Sequence, residues 1–578
     1  MRWLWSATWP RLPLEVGPGG RGWRANRGLG PKGRTGVVPL GRDQVGDTAR
    51  ASDDRYASAE LVAMEARIID HAMARVPLTA ARLTQATLTL DAATAGIAGS
   101  GSGLSAEQRE AAVALLASRD RITVMTAPAG AGKTTTIGAA VRAWRATGVQ
   151  VSLLAPSARA AAELTRSTAG TAGAGEAGVT VARWLLTQAD QARRRGPRGG
   201  RSVILVDEAS MLSTLDLDRI LTHALTNGSQ VVLAGDPAQI GAVNAPGGMF
   251  AHLTQLLVED RGSTLTELHR FAHPWEAAAS LRLRAGDPAA LRAYLEHHRI
   301  HPAGDSQDAA DAVFDRWQQA VDAGRDALML AKSWADVTAL NTRARAAAIA
   351  DGAVHGPDLL TVVSSSASTR GHPELRSWRA GDLLLAKRNT PTVQLGQRSL
   401  RNGDRLRVLD SAPEGGLRVQ SVEDNAITVL PVEYLARYAE YGWAATIDAA
   451  QGTTTDVAVT LARTGLDREH LYVAMTRGRH ENHVHTTPET DTGDAGPHRA
   501  RASTISAGAA AADQESAVAQ LTRALATSGS GSGRASHALL DRTTPQSGHR
   551  READGGRDTR RRDPVRMPDR DDGRVFAR

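Results

Sequence analysis

The stretch ITVMTAPAGAGKTTT at residues 122–136 constrains the fold more than any other part of the chain. Five residues of strand type run straight into a turn built on Gly130 and Gly132, and a helical pattern follows. Strand, glycine turn and helix start, in that order, make a phosphate cradle. The glycines let successive backbone N–H groups point inward, and the helix dipole adds positive potential. On this reading Gly130, Ala131, Gly132, Lys133, Thr134 and Thr135 surround a nucleoside triphosphate. Lys133 would neutralise the β- and γ-phosphates, and the Thr134 hydroxyl would ligate Mg²⁺. Lysine occurs at only four positions, Lys32, Lys133, Lys332 and Lys387, so abundance does not explain its presence here. The first position of the G-x-x-x-x-G-K-T pattern is Ala127, one methyl group away from the strict motif.

A phosphate loop of this kind needs a parallel sheet behind it, and the sequence supplies one. VSLLA (151–155), VILVD (203–207) and QVVLA (230–234) are apolar runs alternating with Ala-rich helical stretches. That alternation predicts βαβ units and a sheet buried on both faces. ALMLA (327–331), a helix at 334–349 and DVAVTL (456–461) repeat the pattern, which predicts a second α/β domain. Short strands and turns such as RNGD (401–404) predict a small β insert over 371–432. VILVD ends in Asp207, placed to hold Mg²⁺, and Glu208 beside it is the candidate to orient and deprotonate an attacking water. QVVLA runs into GDPAQIGAV (235–243), so Asp236 and Gln239 lie at the carboxyl end of a parallel strand, the side where such sheets bind ligands. Gln239 is a candidate sensor of the γ-phosphate. These motifs together imply hydrolysis of a nucleoside triphosphate.

Charge adds less than its total suggests. The formal net charge is +7, but residues 1–50 carry +6 and residues 541–578 carry +3, which leaves about −2 for the body between them. Residues 1–50, with Trp3, Trp5, Trp9 and Trp23 among Gly, Pro and Arg, have no helical or strand period and are expected to be disordered or to lie upstream of the true start. Residues 57–74 have helical apolar spacing, and a Gly/Ser break follows at 98–103. Residues 491–578 are expected to form a solvated tail with one short helix around 514–526. Cysteine is absent, which excludes disulfides and thiolate metal sites and is compatible with a reducing cytosol. No run of eighteen uncharged apolar residues occurs, so no membrane span is expected. His483 and His485 alternate along RHENHVH (479–485). A metal site there is conceivable, but an exposed strand edge is the preferred reading.

The ordered motifs resemble those of superfamily 1 helicases, specifically the RecD-like branch found in the helicase half of TraA/TraI-type conjugative relaxases. LSAEQ (104–108) resembles the adenine-reading motif, with Gln108 as the base contact. APSARAAAEL (155–164) resembles motif Ia, TELHRF (266–271) motif IV with Arg270 near the γ-phosphate, and WAATIDAAQGTTTDVAV (443–459) motif V around Gln451 and Gly452. REHLYVAMTRGR (468–479) resembles motif VI, with Arg477 as arginine finger. The match covers about 104–490 and implies two RecA-like domains, 104–262 and 263–370 with 433–490, bearing a small SH3-like β insert at 371–432. It also implies that Arg270 and Arg477 reach from the second domain across the cleft to ATP.

The resemblance implies 5′→3′ movement on single-stranded DNA. Ser157, Arg159, Trp184, Thr446 and Thr453 are the candidate contacts, Trp184 as a base-stacking aromatic weighed against a helix core residue. Thr180 and the basic run at 193–201 are weaker candidates. Asp448 stands where many members carry His. Residues 1–50 contain neither His nor Tyr, so nicking at a transfer origin is expected to fall to a separately encoded relaxase or other conjugation machinery. Two other readings compete: a non-catalytic DNA-binding remnant, and a repair helicase like the exonuclease V alpha subunit.

Overall fold

The computed structural model describes residues 37–42, 54–73, 80–94, 103–168, 177–191, 202–242, 245–365, 373–463, 465–487 and 507–528. The expectation of disorder over residues 1–50 is corrected at Val37–Arg42, a strand that pairs antiparallel with Asp54–Ser58; the rest of that segment, the run at 193–201 and 529–578 lie outside these residues.

The first α/β domain is a six-stranded, all-parallel sheet. Its order is Val179–Thr180, Gln150–Ala155, Ser202–Val206, Gln230–Gly235, Ile122–Thr126, Gly262–Thr264. The strand Gln230–Gly235 thus separates the phosphate-loop strand from the strand that ends beside Asp207. The apolar runs are continuous because both faces are covered. Ile122, Val124, Val231 and Leu233 pack with Ile68, Leu217 and Phe250 on one face. Met125, Val232 and Ala234 pack with Leu90, Leu115, Ile137 and Trp144 on the other. The helical segment expected at 57–74 is the helix Ala59–Met73, and with Ala80–Thr94 it packs against this domain.

The expected domain boundary at 262/263 moves. Gly262–Thr264 is the edge strand of the first sheet, the Leu265 N–H donates to the Thr126 carbonyl (2.8 Å), and the His269 N–H donates to Gly130 (2.9 Å). Arg270 therefore leaves the first domain rather than arriving from the second.

The second domain is a five-stranded parallel sheet, Ala444–Thr446, Ala327–Ala331, Thr455–Ala462, Gly478–Thr486, Ile300–Pro302. Its two cores alternate along each strand in the same way: Met329 and Val459 face Trp317 and Val337, while Leu330 and Ala458 face Leu283 and Leu471. The helix expected around 514–526 spans Ala507–Ala526. Its Ala517, Leu521, Ala524 and Leu525 are buried in the Leu283–Leu471 core, so this part of the expected tail belongs to the second domain. The i, i+4, i+7, i+8 spacing of those four residues is the signal, and burial of that stripe is what holds the helix in place.

The β insert is wider than 371–432. Its five antiparallel strands run in the order Ile427–Leu430, Leu417–Ser421, Arg405–Ser411, Leu383–Ala386, Ala439–Tyr441, and the ribbon His355–Ser364 with Glu374–Ala380 joins it. Trp378, Leu384, Leu406, Val419 and Leu435 form its core. The first strand leaves no signal in the sequence because it begins HGPD, with no apolar alternation. Among the described residues no helix is long and apolar enough to cross a membrane.

Candidate nucleotide site and interdomain cleft

The phosphate loop curls as its glycines require. Gly130 and Gly132 adopt φ of 88° and 78°, in the region that a side chain disfavours. Both are also crowded: a Cβ on Gly130 would lie 2.5 Å from the Arg270 Cβ, and one on Gly132 would lie 2.1 Å from Gln108 Nε2. Ala127 has no positive φ, is buried, and donates its N–H to Gly235 at 3.1 Å. Its methyl group therefore costs the loop no conformational strain. Ala131 is buried, Thr134 half-buried and Thr135 exposed.

Gln108 sits beside the loop, its Nε2 donating to the Ala131 carbonyl at 3.4 Å. It is also the third residue of the helix Ala106–Ala117 and closes a capping box with Ser105, which fixes its position locally. Glu107 accepts from the Thr266 N–H (2.7 Å), its hydroxyl (2.6 Å) and the Glu267 N–H (3.0 Å), tying this helix to the segment that carries Arg270.

Lys133, Asp207 and Glu208 meet at the carboxyl end of the sheet. The Lys133 ammonium lies 2.5 Å from Asp207 and 2.8 Å from Glu208. The two carboxylates hold the ammonium firmly charged against its burial, and burial raises the Asp207 pKa. Glu208 is held low by Lys133 and then by Arg477 and Arg270, so both arginines act on it through space. Its backbone φ is 53°, an uncommon conformation for a residue with a side chain, and its Oε2 has no hydrogen-bond partner. The Asp207 carboxylate and the Thr134 hydroxyl are hard oxygen donors, a set that fits Mg²⁺.

The two arginines converge on one residue of the second domain. Arg270 donates to the Thr476 carbonyl at 2.8 Å. Arg477, almost fully buried, donates to the Val473 carbonyl (2.8 Å), the Thr453 carbonyl (3.3 Å) and the Thr476 hydroxyl (2.9 Å). Burial and the neighbouring Arg270 push its pKa down to about 9, so it keeps its charge at neutral pH. Gln239 is buried with its N–H on the Asp236 carbonyl. Gly452 takes φ 79° in an exposed turn, and both amide atoms of Gln451 beside it are buried without a partner.

Sequence reasoning passed over Arg284 and Tyr472. Arg284 donates to Asp236 at 2.9 Å from the helix Pro274–Ala285, and the Tyr472 hydroxyl donates to the same carboxylate at 2.9 Å. Tyr472 lies within the motif VI stretch and was readable there, whereas nothing in the local sequence marks Arg284. Asp448 meets His470, whose ring is 3.5 Å from Asp448 and 2.6 Å from Asp467. Hydrogen bonds and charge from those two carboxylates outweigh burial and raise the His470 pKa to about 9. Because the folded-state value is above the ordinary value of about 6.5, this contribution is complete below that pH and is lost as pH rises through about 9. Melting curves are expected to fall across that window in the wild type and to lose this component in His470→Gln.

The DNA candidates divide. Ser157 and Arg159 are exposed after the strand Gln150–Ala155, with Ser157 accepting from the Ala160 N–H, and Arg159 lies within electrostatic range of Arg405 in the insert. Thr446 is buried and caps the Ala449 N–H, while the carbonyl of half-buried Thr453 holds Arg477. Trp184 corrects the stacking expectation: it is buried in the first domain's core, edge-on to His223 at 4.8 Å. Thr180 is half-buried and caps the Arg183 N–H. His483 and His485 correct the strand-edge expectation. Both are buried, because strand Ile300–Pro302 pairs alongside and brings His301 against them. The His483 nitrogens are already taken by His301, Glu481 and Arg299, and burial pushes its pKa down to about 4.

The sequence is similar to those of several known proteins. A family profile described as an AAA domain matches residues 103–305. The conjugal transfer protein TraA of Agrobacterium fabrum is 28% identical over 451 residues, 77% of this chain and 38% of that protein. The chain thus spans well under half the length of that relative. The RecBCD enzyme subunit RecD of Mycobacterium tuberculosis is 30% identical over 409 residues, 65% of this chain and 68% of that subunit. A Pif1 helicase from Bacteroides, solved with ADP-AlF3 and ssDNA, is 18% identical with a TM-score of 0.42, over 67% of this chain and 92% of that one. With two thirds of the RecD subunit matched at this identity, the chain belongs to the RecD-like branch of superfamily 1, a family of ATP-driven DNA helicases.

Proposed function

We propose that this chain hydrolyses ATP in the cleft between its two α/β domains and uses the cycle to move 5′→3′ along single-stranded DNA, in conjugative DNA transfer. One observation carries the reading: Lys133, Asp207 and Glu208 of the first domain lie opposite Arg270 and Arg477, which meet on Thr476 of the second.

In this reading Gln108 borders the base, and the loop amides from Gly130 to Thr135 hold the phosphates. Thr134 and Asp207 would hold Mg²⁺, which supplies positive charge to the phosphate oxygens. Lys133 leaves its two carboxylates for the phosphates. Glu208 then orients a water and takes its proton, and Gln239 senses the γ-phosphate. Arg270 and Arg477 neutralise charge as it builds on the transferring group, an effect worth about 10³–10⁵ in rate for such fingers. Arg477 reaches the site only when the second domain is closed on the first, and its Thr476 neighbour then holds the Arg270 guanidinium, so turnover and domain movement are one event. Alternate opening and closing of two DNA-gripping domains is a stepping motion. Ser157 and Arg159 on the first domain and the motif V turn with Thr453 on the second are the proposed grips; Thr446 is buried and supports that turn from within. Thr453 also holds Arg477, which gives DNA a direct route to the finger.

The TraA relatives support a conjugative role, and the RecD relatives support a repair role as the second reading. ATP hydrolysis with and without single-stranded DNA tests the motor itself. DNA is expected to stimulate turnover at least several-fold. Tight DNA binding without turnover would instead mean a binding module. Strand displacement on substrates with a 5′ or a 3′ tail tests direction, and activity confined to the 3′ tail would refute the proposed polarity.

A further inference from the structure

Tyr472, on the helix Arg468–Ala474, is 1% exposed and touches the first domain at two points. Its hydroxyl accepts the N–H of Ala129, inside the phosphate loop, at 3.0 Å, and donates to Asp236 Oδ2 at 2.9 Å. The other Asp236 oxygen accepts from Arg284 at 2.9 Å and from the Ala238 N–H at 3.1 Å. A tyrosine and an arginine of the second domain therefore close on one carboxylate of the first, itself 1% exposed. Only a group that both donates and accepts can join an amide to a carboxylate, so the hydroxyl is required and the ring alone does not suffice. Burial makes each of these bonds costly to break, since the group left behind has no water to turn to.

The same short segment carries Arg477 and holds Arg270. One turn beyond Tyr472, the Thr476 hydroxyl donates to the Tyr472 carbonyl at 2.8 Å and accepts from Arg477, while its carbonyl accepts from Arg270. From the Ala129 amide to both guanidinium groups there is thus one hydroxyl, six residues of chain and a set of buried hydrogen bonds.

We propose that Tyr472 is a positioning residue: a latch that joins the second domain to the phosphate loop through Ala129 and Asp236, and so fixes where Arg270 and Arg477 stand relative to Glu208. This rests on the reading of the cleft as the site of ATP hydrolysis. Tyr472 acts through the two arginines. A change at the Ala129 amide, such as filling of the loop by phosphate, alters what holds the segment that carries Arg477.

Tyr472→Phe keeps the ring and removes the latch. The expected result is a fall in kcat of about tenfold, the equivalent of one net hydrogen bond, with KM for ATP and binding of a fluorescent ADP within about threefold of wild type. Asp236→Asn is expected to fall in the same direction, and the double variant to be no worse than the weaker single variant, because both cut the same link. A kcat within about twofold of wild type, or losses that simply multiply, would overturn the latch. A second readout needs no turnover. The chain has no cysteine, so Asn227→Cys and Ala323→Cys, both exposed and one on each domain, take a donor and acceptor dye cleanly. In nucleotide-free protein, Tyr472→Phe is expected to broaden the distance distribution towards wider separations, and an unchanged distribution counts against the latch. If the wild type hydrolyses no ATP while Tyr472→Phe still widens the cleft, the proposed function fails and the latch stands.

Discussion

Arg477→Lys is expected to lower kcat for ATP hydrolysis by about 10³–10⁵-fold, the range measured for arginine fingers, with little change in ATP affinity. Lysine keeps the charge but not the fork. The guanidinium is held by the Val473 and Thr453 carbonyls and the Thr476 hydroxyl, three acceptors in three directions. A single ammonium on a flexible stem cannot meet all three and also keep a face towards the cleft. The substitution is preferable to alanine, which would leave those acceptors buried and unpaired and confound rate with folding. Single-turnover hydrolysis together with a nucleotide titration separates the two effects. Turnover within about tenfold of wild type would remove Arg477 from the transition state. Because the Thr453 carbonyl is one of its three anchors, the residual rate of the lysine variant should also respond less to DNA than the wild-type rate does.

Lys133→Ala should have the second large effect, on binding and turnover together. Without the ammonium the loop keeps its backbone donors and helix dipole but loses its one mobile positive charge, so hydrolysis is expected to fall to background and nucleotide affinity to drop with it. A stability effect accompanies this. Asp207 and Glu208 would face one another in a crevice where Lys133 is now 12% exposed and Asp207 7%. Breaking such a pair from one side costs on the order of 3 kcal/mol, to be read from denaturant unfolding without nucleotide. The loss should shrink as pH falls through the carboxylate range, because a proton on either acid relieves the repulsion. A variant that still hydrolyses ATP with DNA stimulation would refute the assignment of the phosphate loop.

Much of this site is legible in the sequence because its parts are local. The loop from Gly130 to Thr135 is contiguous, and a strand, a glycine turn and a helix leave its backbone few conformations. Asp207 and Glu208 follow a continuous apolar strand that must be buried, which places them at the sheet's carboxyl end. The insert was legible in kind but not in extent, since the strand His355–Ser364 opens on His, Gly, Pro and Asp and gives no alternating pattern. Trp184 shows the limit for single residues. An aromatic on an amphipathic helix suits a core or a base equally well, and only the packing of His223 and the first domain's core on it decides the matter. His483 and His485 fail for the same reason: their spacing puts them on one strand, but the neighbouring strand that buries them begins at Ile300.

By itself the sequence determined a phosphate loop, two acids at a strand end and two parallel sheets to carry them, while the two arginines downstream rested on the helicase resemblance. Those facts depend on residues near one another in the chain, where backbone geometry and apolar periodicity leave little freedom. The tertiary structure alone decided how the halves meet. It placed Arg270 at the exit of the first domain, folded the helix Ala507–Ala526 into the second, and brought Tyr472 and Arg284 onto Asp236. Tyr472 and Asp236 are 236 positions apart. No local preference links residues so distant, and they meet only because burying the surfaces between the domains leaves each buried polar group to find its partner on the other side.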